Sequence, residues 1–188
     1  IEIVPLDVAA LPDWLDRGSV DVAITPAELP AQFERTTVKT EEYGVVMSSR
    51  NRLAYRGFAE DDYRRALRVA VAGDSGAPLV EAAHARLGGV SDAMVYVQHF
   101  ATLPPLLIRV PELVATIPKS IALGWSTTWP LVIRELPFEM PPITLKLYRR
   151  NTTQHAGALE WLFRIVADAV TRSSGEFSVI QADHAPVR

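Results

Sequence analysis

The chain has 188 residues, enough for one large α/β domain or two small lobes around a real core, and its 48% apolar and 22% charged residues are ordinary for a globular protein. A formal net charge of -3 makes it a poor stand-alone nucleic-acid binder, because phosphate contacts need a dense basic face. The absence of cysteine excludes disulfides, thiolate metal sites and a cysteine nucleophile and suits the cytosol, and no apolar run approaches the roughly 18 residues that cross a bilayer.

In chain order, residues 1–6 read as a strand, opening on Ile1-Glu2-Ile3-Val4 without an initiator Met or a leader, as in a fragment of a longer protein. Asp7 is an N-cap for a helix that carries Val8, Leu11, Trp14 and Leu15 at helical spacing and stops at Gly18. Residues 21–25 form a compact apolar strand stopped by Pro26, so the opening unit is strand, helix, strand, which implies a parallel pair. Residues 33–39 and 43–48 are further strands. Val45-Val46-Met47 is continuously apolar, as in a strand buried on both faces.

Beyond the polar Ser49-Arg50-Asn51-Arg52, the pattern predicts helices over 58–66, 79–87, 101–109 and 119–123. Strands are predicted over 68–72, 93–98, 113–117 and 132–136. Three prolines in residues 137–142 exclude central strand and helix there. A strand over 143–148 and an amphipathic helix over 156–171, with Leu159, Leu162, Phe163, Val166 and Val170 on one face, complete the pattern. Alternating strands and helices define an α/β class with mainly parallel sheets. Two crossovers, near 49 and near 140, divide the chain into two Rossmann-like lobes joined by two crossover strands. Residues 1–48 with 141–172 form one lobe, 49–140 the other, and 173–188 a tail. Such an architecture places a cleft at carboxyl ends of strands and N-termini of helices.

The loudest motif is Gly73-Asp74-Ser75-Gly76-Ala77-Pro78. It looks like the nucleophile segment of chymotrypsin-like serine proteases, but that chemistry needs a histidine base supplied before the serine. The four histidines here are His84, His99, His155 and His184. Ser75 therefore reads either as part of a strand-to-helix turn made tight by glycine, or as a hydroxyl that lines an anion or ligand site with nearby amides. Gln98-His99-Phe100 leaves one strand and enters a helix, the favoured ligand address in open α/β sheets. His99 reads as a structural hydrogen-bonding residue or as a contact to a ligand carboxylate or hydroxyl. Thr25-Pro26 ends a third strand and is either a terminator or a ligand contact. No residue set supports catalysis, a metal site or a nucleotide cofactor: the histidines are widely spaced, and there is no phosphate-binding loop. Glu60-Asp61-Asp62 reads as an acidic first helical turn.

Together these segments resemble the C-terminal effector-binding domain of LysR-type transcriptional regulators. Leu15-Asp16-Arg17-Gly18-Ser19-Val20-Asp21-Val22-Ala23-Ile24 is similar to that family's leucine-x-x-glycine-x-(leucine/valine)-aspartate-(leucine/valine)-alanine-isoleucine segment. Residues 45–54 look like its first interlobe strand, with Arg50-Asn51-Arg52-Leu53-Ala54 where many members carry histidine-proline-leucine-alanine. Gln98-His99-Phe100-Ala101-Thr102-Leu103 and residues 113–122 look like the branch that senses aromatic acids and flavonoids. Glu160-Trp161-Leu162 is similar to its closing helix, with Phe163 in place of the usual arginine. The resemblance spans residues 1–170. It lacks the family's N-terminal winged helix-turn-helix and the first strand and helix of its sensing domain.

The resemblance implies a type 2 periplasmic-binding-protein-like fold that binds a small aromatic or carboxylate effector between its lobes, near Thr25, Pro26, Ser75, Gln98, His99 and Phe100. It implies no catalysis and no cofactor. The chain would act in the cytoplasm within a homodimer or tetramer, pairing through helices 8–17 and 79–87, and would reach DNA only through the absent N-terminal domain. The competing expectation is a periplasmic solute-binding protein of a transporter, which shares the architecture. An upstream helix-turn-helix or an upstream signal peptide separates the two.

Overall fold

The computed structural model describes residues 1–88, 93–151 and 156–180, with side chains described at 1–88, 93–151 and 157–172. The chain divides into two compact units, Ile1–Thr40 with Thr144–Arg188, and Glu41–Ile143.

The first unit holds a three-stranded sheet in the order β1-β8-β2, with β1 at Val22–Thr25, β2 at Phe33–Glu41 and β8 at Ile143–Arg150. Strand β8 runs antiparallel to β1, with Ala23 opposite Tyr148. Because successive strand residues face opposite sides, Tyr148 and Leu147 feed two different cores. Tyr148 joins Leu11 and Leu15 of helix α1 (Leu11–Arg17), Ala23, Leu29 and Phe33. Leu147 joins Val38 and Phe163 of helix α6 (Ala156–Ile180). Helix α1 ends at Gly18, whose φ of 71° is left-handed. A methyl there would stand 2.6 Å from Arg150 Nη1, a side-chain end that can move aside, so it is the conformation that calls for glycine. Arg149 ties α6 to the sheet: its guanidinium pairs with Glu34 at 2.6 Å and Glu160 at 2.6 Å and lies 4.6 Å from the Phe163 ring centre.

The second unit holds a five-stranded sheet in the order β5-β4-β6-β3-β7. Its strands are β3 (Tyr43–Ser48), β4 (Leu67–Val71), β5 (Val95–Val97), β6 (Leu113–Pro118) and β7 (Leu131–Glu135). All six residues of β3 are buried. Val46 packs with Val69, Leu103, Leu107, Ala115 and Ala122 on the face covered by helices α4 (Leu103–Arg109) and α5 (Lys119–Ser126). Val45 and Met47 point the other way, to Leu53, Ala54, Val114 and Tyr63 of helix α2 (Glu60–Arg65). The sheet is mixed: β4 is parallel to β5 and β6, whereas β3 is antiparallel to β6 and β7. Helix α3 (Ala77–Arg86) follows β4.

Four expectations change. The sheets are not mainly parallel, since β1–β8, β3–β6 and β3–β7 are antiparallel and only β4–β5 and β4–β6 are parallel among the described pairs. Residues 1–6 form no strand. Ile1 and Ile3 are fully exposed, β1 pairs with β8, and an apolar segment with no ladder partner cannot offset the entropy of ordering its backbone. Strand β3 belongs with the second sheet because it bonds β6 and β7, so the units divide at 40/41 and 143/144 rather than at 48/49 and 140/141. Helix α6 continues to Ile180 through the stretch read as the start of a tail, since a glycine such as Gly175 costs a helix only about 1 kcal/mol relative to alanine. Residues 181–188 lie outside the described residues.

Tyr63 shows how the second core handles polar groups. Its ring meets His84 and Phe138 edge-on at 5.6 and 5.0 Å, and its hydroxyl shares a 2.8 Å hydrogen bond with Thr116 Oγ1. Burial raises the phenol's pKa, so it stays neutral. Tyr63→Phe keeps the rings in place and removes the hydroxyl. The expected loss is about 0.5–1.5 kcal/mol by urea denaturation, and an unchanged midpoint would mean that ring packing alone fixes the residue.

Candidate functional site

Strands β4 and β5 are parallel neighbours in register, with Val71 opposite Val97. Their C-terminal exits therefore emerge side by side, and Ala72 N–H donates to Val97 C=O at 2.8 Å to hold the two turns together. The β4 exit, residues 72–76, turns at Gly73, whose φ of 76° is left-handed. It then enters α3, which has proline in its first turn. Asp74 bridges the turn: its Oδ1 accepts from Gly76 N–H at 3.2 Å, and its carbonyl accepts from Ala77 N–H at 3.1 Å. The β5 exit runs through Gln98 and His99 into the 3-10 turn Phe100–Thr102 and then α4.

The predicted residues fall as follows. Ser75 is half-buried between Asp74 and Gly76. Gln98 and His99 are exposed, and Phe100 is half-buried. Asp74 and Phe100 line one small recess of about 20 Å³, room for a single water, with Arg68, Val71, Glu81 and Thr116. Ser75, Gln98 and His99 do not line it, although they border the same strand ends. In the first unit, Thr25 is fully buried at the end of β1 and its Oγ1 accepts from Ala27 N–H at 3.1 Å, while Pro26 is half-buried. The Thr25 hydroxyl thus holds its own turn, with its proton left to donate.

Sequence reasoning missed the group beneath the β4 exit. Tyr43, at the start of β3, is buried against Gly76: a methyl on Gly76 would stand 1.8 Å from the Tyr43 hydroxyl oxygen and 2.9 Å from Ile143 Cδ1. Burial, with the negative charges of Asp74 and Glu41, pushes the Tyr43 phenol far above its usual range. Glu41 is itself buried and accepts from Ser120 Oγ at 2.6 Å, at the start of α5. Burial raises the Asp74 carboxyl against the lowering effect of the Gly76 amide. The one hint in the sequence was the second glycine of the Gly-Asp-Ser-Gly run, which reads there as turn chemistry and here marks a close approach. Arg68, buried at the β4 start, is neutralised by Glu81 of α3 through two 3.2 Å contacts. Phe100 adds an apolar face beside these polar groups.

No family profile matches the chain. Nodulation protein D 2 of Rhizobium tropici is 26% identical over 178 residues, covering 94% of this chain and 54% of that protein, so the chain spans about half the length of this curated relative. Among solved structures, a candidate transcriptional regulator from Vibrio parahaemolyticus superposes with a TM-score of 0.79 at 20% identity, covering 92% of this chain and 80% of that one. The effector-binding domain of QuiR, solved in complex with shikimate, gives 0.65 at 16% identity, with 86% and 78% covered. CbnR, a LysR family transcriptional regulator, gives 0.65 at 14% identity, with 89% and 57% covered. The chain has the fold of the LysR-type regulatory domain.

Two outcomes test the site. Gly76→Ala drives a methyl into the Tyr43 hydroxyl and should destabilise by about 1–3 kcal/mol, as overpacking does. Tyr43→Phe in the same chain should recover part of that loss in chemical denaturation, and failure to recover any would place the strain elsewhere. For Asp74, a raised folded-state pKa means that its contribution to stability is complete below the unfolded value of about 4 and is lost as pH rises through the folded value. Asp74→Asn should therefore raise the melting temperature at neutral pH, and the gain should vanish when the melts are repeated near pH 3.

Proposed function

We propose that this chain is the effector-sensing part of a LysR-type transcriptional regulator that binds a small aromatic or carboxylate molecule and performs no catalysis. The observation that carries the reading is the paired exit of β4 and β5, which sets Ser75 and Gln98-His99-Phe100 at one edge of a sheet whose fold is that of regulatory domains. Carboxyl ends of parallel strands are the standard ligand address in open α/β sheets. His99 and Gln98 supply exposed hydrogen-bonding groups, Ser75 a hydroxyl beside the start of α3, and Phe100 a ring face. Thr25 and Pro26 form a second address at the end of β1. The shikimate bound by the QuiR domain, a cyclic carboxylate, exemplifies the ligand class.

In the whole regulator, DNA would be met by an N-terminal winged helix-turn-helix, consistent with the acidic balance of this chain and with its share of the nodulation protein's length. The sensing parts would pair as a homodimer or tetramer in the cytoplasm. A ligand then acts by favouring one arrangement over another, with coupling of about 1–3 kcal/mol in typical cases. The periplasmic solute-binding alternative shares the architecture but gains no support from the similar proteins, which are described as regulators.

Thermal-shift screening against shikimate and benzoate-type acids tests the reading. At a ligand concentration of about 100 times Kd, stabilisation is about 2.7 kcal/mol, or roughly 5–10 °C for a chain of this size. His99→Ala should weaken the response about ten-fold, the scale of one lost charge-assisted hydrogen bond. Stabilisation undiminished in His99→Ala rejects that contact, and no response to any small acid rejects the ligand class.

A further inference from the structure

The opposite end of the second sheet carries a recess of a different character. It holds about 240 Å³, less than the roughly 300–1,000 Å³ of drug-sized sites but room for a small anion, and lies where β4 begins at Leu67 and the chain enters β6 through Glu112. Three arginines, Arg50, Arg52 and Arg65, line it with a single acidic residue, Glu112. A basic lining of this density is unusual in a chain whose formal net charge is -3.

Hydrogen bonds to neutral groups fix the wall that follows β3. Asn51 is buried: its Nδ2 donates to Pro111 C=O at 2.6 Å, and its Oδ1 accepts from Leu53 N–H at 2.8 Å. This locks the segment after β3 onto the segment before β6. Arg50 donates to the carbonyl of Ile108, a neutral partner that orients the guanidinium and leaves its charge in place. Arg65 shares Asp61 at 2.7 Å with Arg64, so two cations divide one carboxylate. Arg52 makes no hydrogen bond or ion pair among the described residues.

We infer that this recess is a binding site for a small, multiply charged oxyanion, a phosphate-bearing or dicarboxylate molecule, held by Arg50, Arg52 and Arg65. Planar guanidiniums offer paired N–H donors that match two oxygens of a carboxylate or phosphate at once. A concave wall lowers the local dielectric and concentrates the field of the three cations more than a flat surface does. The site stands apart from the strand-end address. Ser75 and His99 follow the carboxyl ends of β4 and β5, whereas this recess adjoins the amino ends of β4 and β6.

Isothermal titration of the whole chain with sodium pyrophosphate, and separately with sodium succinate, tests the site at constant ionic strength. We expect saturable binding of at least one of the two with Kd near or below about 1 mM, and the preferred one assigns phosphate or carboxylate as the source. Arg52→Ala should weaken binding at least ten-fold and Arg65→Gln several-fold, with Arg164→Ala, exposed on α6 in the first unit, titrating as the unaltered chain. Raising the salt to about 1 M should also weaken it, because the Debye length falls to about 3 Å. Arg52 and Arg65 are exposed, so coincident melting curves check that the variants fold. Absence of saturable heat with either anion, or equal affinity in Arg52→Ala and Arg65→Gln, overturns the assignment. Tight binding of a poly-glutamate peptide with neither small anion bound overturns it in favour of an acidic protein partner.

Discussion

Everything in the second unit follows from the parallel pairing of β4 with its two neighbours. A parallel pair gives a sheet two chemically different ends, because every strand enters at one edge and leaves at the other. At the leaving edge, turns must pass into helices, and free amides and short polar side chains gather there. At the entering edge, the chain arrives from helix ends and loops. The antiparallel strand β3 runs against this grain through the middle of the sheet, so its first residue, Tyr43, lies at the leaving edge under Gly76, and the segment after it, with Arg50 and Asn51, lies at the entering edge.

The two edges also differ in how they carry charge. At the leaving edge the inner ionisable groups include buried Glu41 and Tyr43 and half-buried Asp74. Each disfavours a second negative charge nearby, so burial and mutual repulsion act in one direction on Tyr43. At the entering edge Arg68 is buried and paired with Glu81, whereas the guanidiniums of Arg50, Arg52 and Arg65 belong to exposed residues. Burying a charge costs far more than exposing it, so the inner groups are paired or shifted, and the outer ones keep their charge available for a ligand.

Much of this was legible in the sequence for identifiable reasons. The unbroken Val45-Val46-Met47 run announced a strand covered on both faces, and β3 contributes to cores on both. Gly18 after Leu15 announced a helix stop, and the residue is left-handed there. The positions of Ser75 and of Gln98-His99-Phe100 after strands were readable from turn residues alone. Strand partners were not, because period-two patterning fixes which face a residue takes and says nothing of which strand lies beside it. Hence residues 1–6 read as a strand on composition yet have no ladder, and β3 read with the first lobe while its bonds run to β6 and β7. Tyr43 against Gly76, and the three arginines around Asn51, join residues distant in sequence and left no local pattern to find.

Strand β4 is the short path between the two edges. It has five residues, Leu67–Val71, a rise of about 17 Å at strand geometry. Leu67 borders the arginine-lined recess, and the turn after Val71 carries Asp74 and Ser75. Both neighbours hydrogen-bond along β4, so it cannot shift without moving the exits that hold the proposed effector contacts. Two ligands that each favour one placement of a shared rigid element are coupled, and the coupling is reciprocal: whatever factor one applies to the other's affinity is returned.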